Sequence, residues 1–89
     1  MNVELGPDFV KRFKKLDVKI RKSFKESIVK FSKNPQDSQL NNHRLEKEWY
    51  GYRSINITGD WRAIYKLILR DEETVAYFVA IGTHKELYK

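Results

Sequence analysis

Cysteine is absent from the 89 residues, and histidine occurs only twice, at His43 and His84. Without thiols the chain can form neither a disulfide nor a thiolate metal site. A zinc ion would have to recruit Asp or Glu beside the two imidazoles, and no metal or other cofactor is expected. No apolar run approaches the ~20 residues that cross a bilayer. The first residues carry no signal-peptide pattern, so a cytoplasmic protein is expected. Linkers, repeats and low-complexity stretches are also missing, and residues 1–89 read as one domain with a small core.

What is present is positive charge, unevenly spread. The net charge is +6. Residues 1–33 hold ten Lys/Arg and four Asp/Glu, which accounts for all of it, while residues 34–89 hold eight of each. Such an excess either solvates a helix face or serves as a handle for a polyanion such as ribosomal RNA or for an acidic protein.

Hydrophobic spacing supplies the elements. Val3-Glu4-Leu5 reads as a short strand, broken by Gly6-Pro7-Asp8. Phe9, Phe13 and Leu16 recur at helical spacing, so Pro7 to Leu16 is predicted helical, with Pro7 in its first turn. Asp17 can cap a second helix, in which Ile20, Phe24, Ile28 and Phe31 form one stripe. Asn34-Pro35 stops it near Lys33. Residues 34–51 read as a polar connection anchored by Leu40, Leu45 and Trp49.

Tyr52 to Thr58 alternates, with Arg53, Ile55 and Ile57 on one face and Ser54 and Asn56 on the other. Trp61 to Leu69 is apolar on both faces, as a central strand would be, and Val75 to Ile81 is a third strand. The turns at Thr58-Gly59-Asp60 and Asp71-Glu72-Glu73 make the three strands an antiparallel meander. The fold class is therefore α+β: an N-terminal strand and a helical pair packed on an antiparallel sheet, in the order β-α-α-β-β-β with a short C-terminal helix. The sheet face away from the helices is expected to stay open for a ligand.

RNA carries its own nucleophile, the 2′-hydroxyl. Cleavage needs a base for that proton, an acid for the departing 5′ oxygen, and positive charge for the crowded phosphate. Imidazole suits the proton transfers because it titrates near working pH. His43, His84, Asp60 and Arg62 supply this set if the fold brings them together. Each also has a plainer role. His84 can cap a last helix, His43 can be solvated, and Asp60 can satisfy turn amides. Arg62 and Lys66 form either a phosphate clamp or an ordinary exposed face. Trp49 and Trp61 read as packing residues, and Arg53 as structural.

Four motifs then stand in order: His43-Arg44-Leu45, Trp49 to Arg53, Asp60 to Tyr65, and Gly82 to Tyr88. Together they resemble the YafQ-type toxins of the RelE/ParE superfamily, over residues 40–88. The resemblance implies a toxin of a type II toxin–antitoxin pair, a ribosome-dependent endoribonuclease that cuts mRNA without a metal and leaves a cyclic phosphate. It maps catalytic roles onto His43, Asp60 and His84, and a base-stacking role onto Tyr88. A functional histidine of the family falls on Asn56, which can hold substrate by hydrogen bonds but cannot shuttle protons near neutrality. Asn56, Arg62, Lys66 and Tyr88 are thus the expected substrate contacts. The implied partners are an acidic antitoxin, the ribosome and mRNA, with operator DNA reached only through the antitoxin. Three alternatives remain open: an RNase closer to HigB-type toxins, a non-catalytic inhibitor of DNA gyrase like the ParE branch, and an inactive fold that binds only antitoxin or RNA.

Overall fold

The side chain of Asp17 accepts the amide of Lys19 at 2.8 Å, and this cap sets the boundary between two helices. The computed structural model describes residues 1–88. Helix α1 runs Pro7–Lys14 and helix α2 Val18–Lys33. The first helix ends two residues before the predicted Leu16, because Asp17 must be extended to serve as N-cap. Leu16 is buried all the same. Phe24 and Phe31 of α2 are buried, and Ile20 and Ile28 pack beside them, so the predicted stripe is the core face.

The strands are β1 (Asn2–Leu5), β2 (His43–Arg44), β3 (Arg53–Asn56), β4 (Trp61–Arg70) and β5 (Glu73–Thr83). They form one sheet in the order β1-β5-β4-β3-β2. The antiparallel meander of β3, β4 and β5 is as expected, with β4 in the centre. Strand β1 adds parallel to β5, Asn2 opposite Val75 and Leu5 opposite Phe78. The stretch read as a polar connection contains β2, which pairs antiparallel with β3 through His43–Ser54 and Arg44–Arg53. Two residues are too few for a periodic signal. Short 3-10 turns cover Ser38–Leu40 and Lys47–Trp49. The chain then closes on helix α3, His84–Leu87.

Between the helices and the sheet lies an aromatic core. Phe9, Phe24, Phe31, Tyr65 and Phe78 are all buried. Their rings meet mostly at steep angles, with centroids 5.1 Å apart for Phe9–Phe24 and for Phe31–Tyr65, the arrangement favoured by the aromatic quadrupole. Asn42 stitches the connection to this core. Its Nδ2 donates to the Tyr65 hydroxyl at 2.7 Å and to the Pro35 carbonyl at 3.0 Å. Its Oδ1 accepts from Arg53 Nε at 3.1 Å. Arg53 is structural, as its place beside Ile55 suggests.

Val79 is an extra residue on β5, since Ile64 faces Ala80 and Tyr65 faces Phe78. This bulge reverses the alternation of the strand. Ala76 and Phe78 meet the core before it, and Ile81 after it. Gly82 consequently lies on the opposite face, across from Arg62.

That opposite face is not open in its middle, contrary to expectation. Ser54 and Ile64 pair across β3 and β4, alternate with the core residues Ile55 and Ala63, and are nonetheless fully buried. The segments that meet over this face are the 3-10 turn at Trp49 and α3. Trp49 Nε1 donates to the Leu87 carbonyl at 2.9 Å, and Leu87 packs so close to Gly82 that a Cβ there would sit 3.3 Å from it. Trp49 is thus a packing residue, as read from sequence.

Candidate active site

The turn between β3 and β4 is held by side chains other than the one expected. Thr58 Oγ1 accepts the amides of Asp60 at 3.3 Å and Trp61 at 3.1 Å. Arg62 Nη1 donates to the carbonyls of Thr58, Gly59 and Trp61 at 3.0–3.2 Å. The Asp60 carboxylate is therefore not consumed by turn chemistry, and it is exposed. The backbone carbonyl of Asp60 accepts the amide of His84 at 3.0 Å. Two sequence motifs meet at this bond.

His84 is the first residue of α3, but it does not cap the helix. Thr83 does, in a capping box: its Oγ1 accepts the Glu86 amide at 3.2 Å, and Glu86 Oε1 accepts the Thr83 amide at 2.8 Å. Nη2 of Arg12, from α1, reaches both oxygens of Glu86 at 3.3 and 3.0 Å. The Thr83 amide, and to a lesser degree Arg12, hold the Glu86 carboxyl below the ordinary carboxylate range, while partial burial works in the other direction. The imidazole of His84 is exposed and meets the Tyr88 ring edge-on, centroids 4.6 Å apart. The Tyr88 hydroxyl is enclosed without a hydrogen-bond partner among the described residues.

Asn56 faces Arg62, which faces Gly82, two rows in from Asp60 and His84. The Oδ1 of Asn56 is buried and unpartnered among the described residues, a costly state for an amide oxygen. Asp60, His84, Tyr88, Asn56 and Arg62 thus gather at one end of the sheet.

His43 and Lys66 stand apart from them. The carbonyl of Asn41 can only accept, so its 2.8 Å contact with His43 Nδ1 puts a proton on that nitrogen. Nε2 of the neutral ring then accepts a long hydrogen bond from the Ser54 hydroxyl at 3.4 Å. His43 belongs to the row His43–Ser54–Ile64–Ala80. It lies three strands from β5, about 14 Å at the usual strand spacing. A phosphate bridging His43 and His84 needs both side chains turned toward it. Lys66 lies four residues along β4 from Arg62, about 14 Å, with its ammonium 5.7 Å from the Tyr52 ring centre.

Three contributors escaped the reading of the sequence. Thr83 and Glu86 obey the Thr-x-x-Glu rule for a helix start, a signal that was available. Arg12 acts across 74 positions, which no local pattern reveals. Among the described residues no group of three His, Asp or Glu converges as a metal site.

Residues 3–88 match the family described as the ParE toxin of the type II toxin–antitoxin system parDE. The chain belongs to that family. Within it, the resemblance to YafQ-type toxins holds. The chain is 37% identical over 57 residues to the mRNA interferase toxin YafQ of Escherichia coli strain B / BL21-DE3, a stretch covering 61% of this chain and 54% of that protein. It spans about half the length of the curated relatives it matches. The crystal structure of YafQ from E. coli strain BL21(DE3) aligns with a TM-score of 0.68 at 27% identity, over 99% of this chain and 98% of that one. A chain of the E. coli DinJ–YafQ complex aligns with a TM-score of 0.60 at 25% identity, over 99% and 98%. The strand, helical pair and meander are those of this toxin fold. No described helix is long and apolar enough to cross a membrane.

Proposed function

We propose that this chain is an endoribonuclease toxin of a type II toxin–antitoxin pair, cutting ribosome-bound mRNA by attack of the 2′-hydroxyl on the adjacent phosphate. The observation that carries the reading is the bond from the His84 amide to the Asp60 carbonyl, which fixes a carboxylate and an imidazole from two separate motifs at one exposed edge. In this scheme the 2′ oxygen bonds to phosphorus, the P–O5′ bond breaks, and a 2′,3′-cyclic phosphate remains. A base takes the 2′ proton and His84, in its protonated form, gives one to the departing 5′ oxygen. Asp60 supports the imidazolium electrostatically. His43, whose Nε2 is an acceptor in the neutral ring and is held only by the long contact from Ser54, is the base that approaches from the far side of the phosphate. Arg62 supplies positive charge, Asn56 holds the substrate once its side chain turns its enclosed amide oxygen outward, and Tyr88 restrains His84. Lys66 binds RNA farther along the strand. The side chains carry both protons, so the scheme requires no metal.

The compartment implied is the cytoplasm, where ribosomes and mRNA are found. The likeness to YafQ in its complex with DinJ supports a protein antitoxin. The +6 charge of residues 1–33 favours an acidic one, with operator DNA bound through it. The family description also supports a second reading, a ParE-like inhibitor that binds gyrase without catalysis.

Inducing the chain in cells and mapping mRNA 5′ ends tests both. Cuts in phase with codons, with 2′,3′-cyclic phosphate on the upstream fragments, are expected. Intact mRNA with arrested growth and trapped gyrase would replace the nuclease reading with the second.

A further inference from the structure

Helix α3 has only four residues, too few to persist on its own hydrogen bonds. Its geometry must come from outside. At its C-terminal end Trp49 holds the Leu87 carbonyl and Leu87 rests on Gly82. At its N-terminal end, beside His84, two devices meet in one residue. Glu86 closes the capping box on Thr83 and accepts the guanidinium of Arg12. Arg12 in turn lies over the ring of Trp61, 5.8 Å from its centre, and Trp61 is the neighbour of Asp60. One short path therefore runs from α1 to both residues of the Asp60–His84 bond.

We propose that Glu86, braced by Arg12, is a positioning residue that sets the His84 imidazole against Asp60, an inference that rests on the catalytic role given to His84 above. The pair is an exposed one, with side chains 43% and 50% accessible. Pairs of this kind contribute little to global stability. Its purpose lies in geometry, where a displacement of about 1 Å is worth up to about 10²-fold in rate. Glu86 does not touch the substrate in this account. It acts through the backbone of Thr83 and the angle at which α3 leaves β5.

The test compares Glu86→Ala, which removes the side-chain half of the capping box and the ion pair, with Glu86→Gln, which retains an oxygen for the Thr83 amide. The first readout is hydrogen exchange of the His84 amide, whose acceptor is the Asp60 carbonyl. The second is single-turnover cleavage of an RNA oligonucleotide on ribosomes, alongside its binding. Glu86→Ala is expected to speed His84 exchange by about tenfold or more through local opening. It is expected to slow cleavage by about 10²-fold with RNA binding and thermal midpoint retained. Glu86→Gln recovers part of both. Native His84 protection in Glu86→Ala overturns the proposal, as does a loss of cleavage that follows a loss of binding or of fold. Should the wild-type chain cut no RNA, the nuclease reading falls, and His84 exchange alone still decides whether Glu86 positions the ring.

Discussion

The amide of His84 is bound to the carbonyl of Asp60 at 3.0 Å, so the start of α3 is fastened to the β3–β4 turn. The turn is itself locked by Thr58 and Arg62. The contact is made by backbone atoms, which leaves both side chains free for chemistry, and that freedom makes the site testable by side-chain replacement.

His84→Ala keeps the bond to Asp60 and loses only an exposed ring. Its thermal midpoint is expected to stay near wild type, while cleavage falls about 10²–10⁴-fold, the usual cost of a lost acid or base. A folded mutant with full toxicity removes His84 from the chemistry.

Asn56 carries the buried, unpartnered oxygen. If RNA supplies its partner, Asn56→Ala and Asn56→His both weaken RNA binding and slow cleavage, since neither restores the amide geometry. A gain from His beside a small effect from Ala would instead identify a vacant proton-transfer position.

Asn42→Ala leaves Tyr65 and Arg53 without their partner inside the fold. A loss of about 1–3 kcal/mol in urea unfolding is expected. An unchanged midpoint would show that water replaces the amide.

The β4–β5 hairpin turns through Asp71 and Glu72, both at positive φ, 49° and 68°. Such a turn favours Asn-Gly, and Glu gains nothing in the left-handed region. Replacing the pair by Asn-Gly is expected to stabilise the chain by about 0.5–1 kcal/mol, part of the left-handed penalty being offset by the entropy of glycine. A lower thermal midpoint would contradict this.

Acid should weaken the fold through two carboxylates. Glu4 is held below its ordinary pKa by its hydrogen bond and charge pairing with Arg70, and Glu86 by the Thr83 amide and Arg12. A depressed folded-state pKa gives stability that is present above the unfolded value and lost as pH falls through the folded one. Both groups are exposed enough that the effect is modest. Urea midpoints should drop on going from neutrality to about pH 3, and the Glu4→Gln/Glu86→Gln double variant should show a flatter acid limb.

Local chemistry made much of this protein legible. The stripe Ile20–Phe24–Ile28–Phe31, the Asp17 cap and the three-strand meander each follow from spacing within one element. What escaped depends on distant partners. Strand β2 exists because His43 and Arg44 find β3. The Val79 bulge exists because β4 and β5 must both reach the core. Ser54 looks like a solvent-facing residue and is fully buried. At the site, the motifs pointed to Asp60 and His84, which a backbone bond joins, but the separation of His43 follows only from sheet order and the involvement of Arg12 only from the placement of α1 beside α3.

The pairing of Asn2 with Val75 and of Val75 with Ile68 puts β5 between β1 and β4. A nascent chain therefore exposes its basic helices long before it owns the strand that unites them. Sheet closure must wait until the segment through Thr83 has emerged, since such distant pairings form late. Asp60 has no His84 to hold until the same moment. Folding is thus deferred by topology: ribosome-bound chains stalled before Val75 are expected to be protease-sensitive and, under the proposed function, unable to cut RNA.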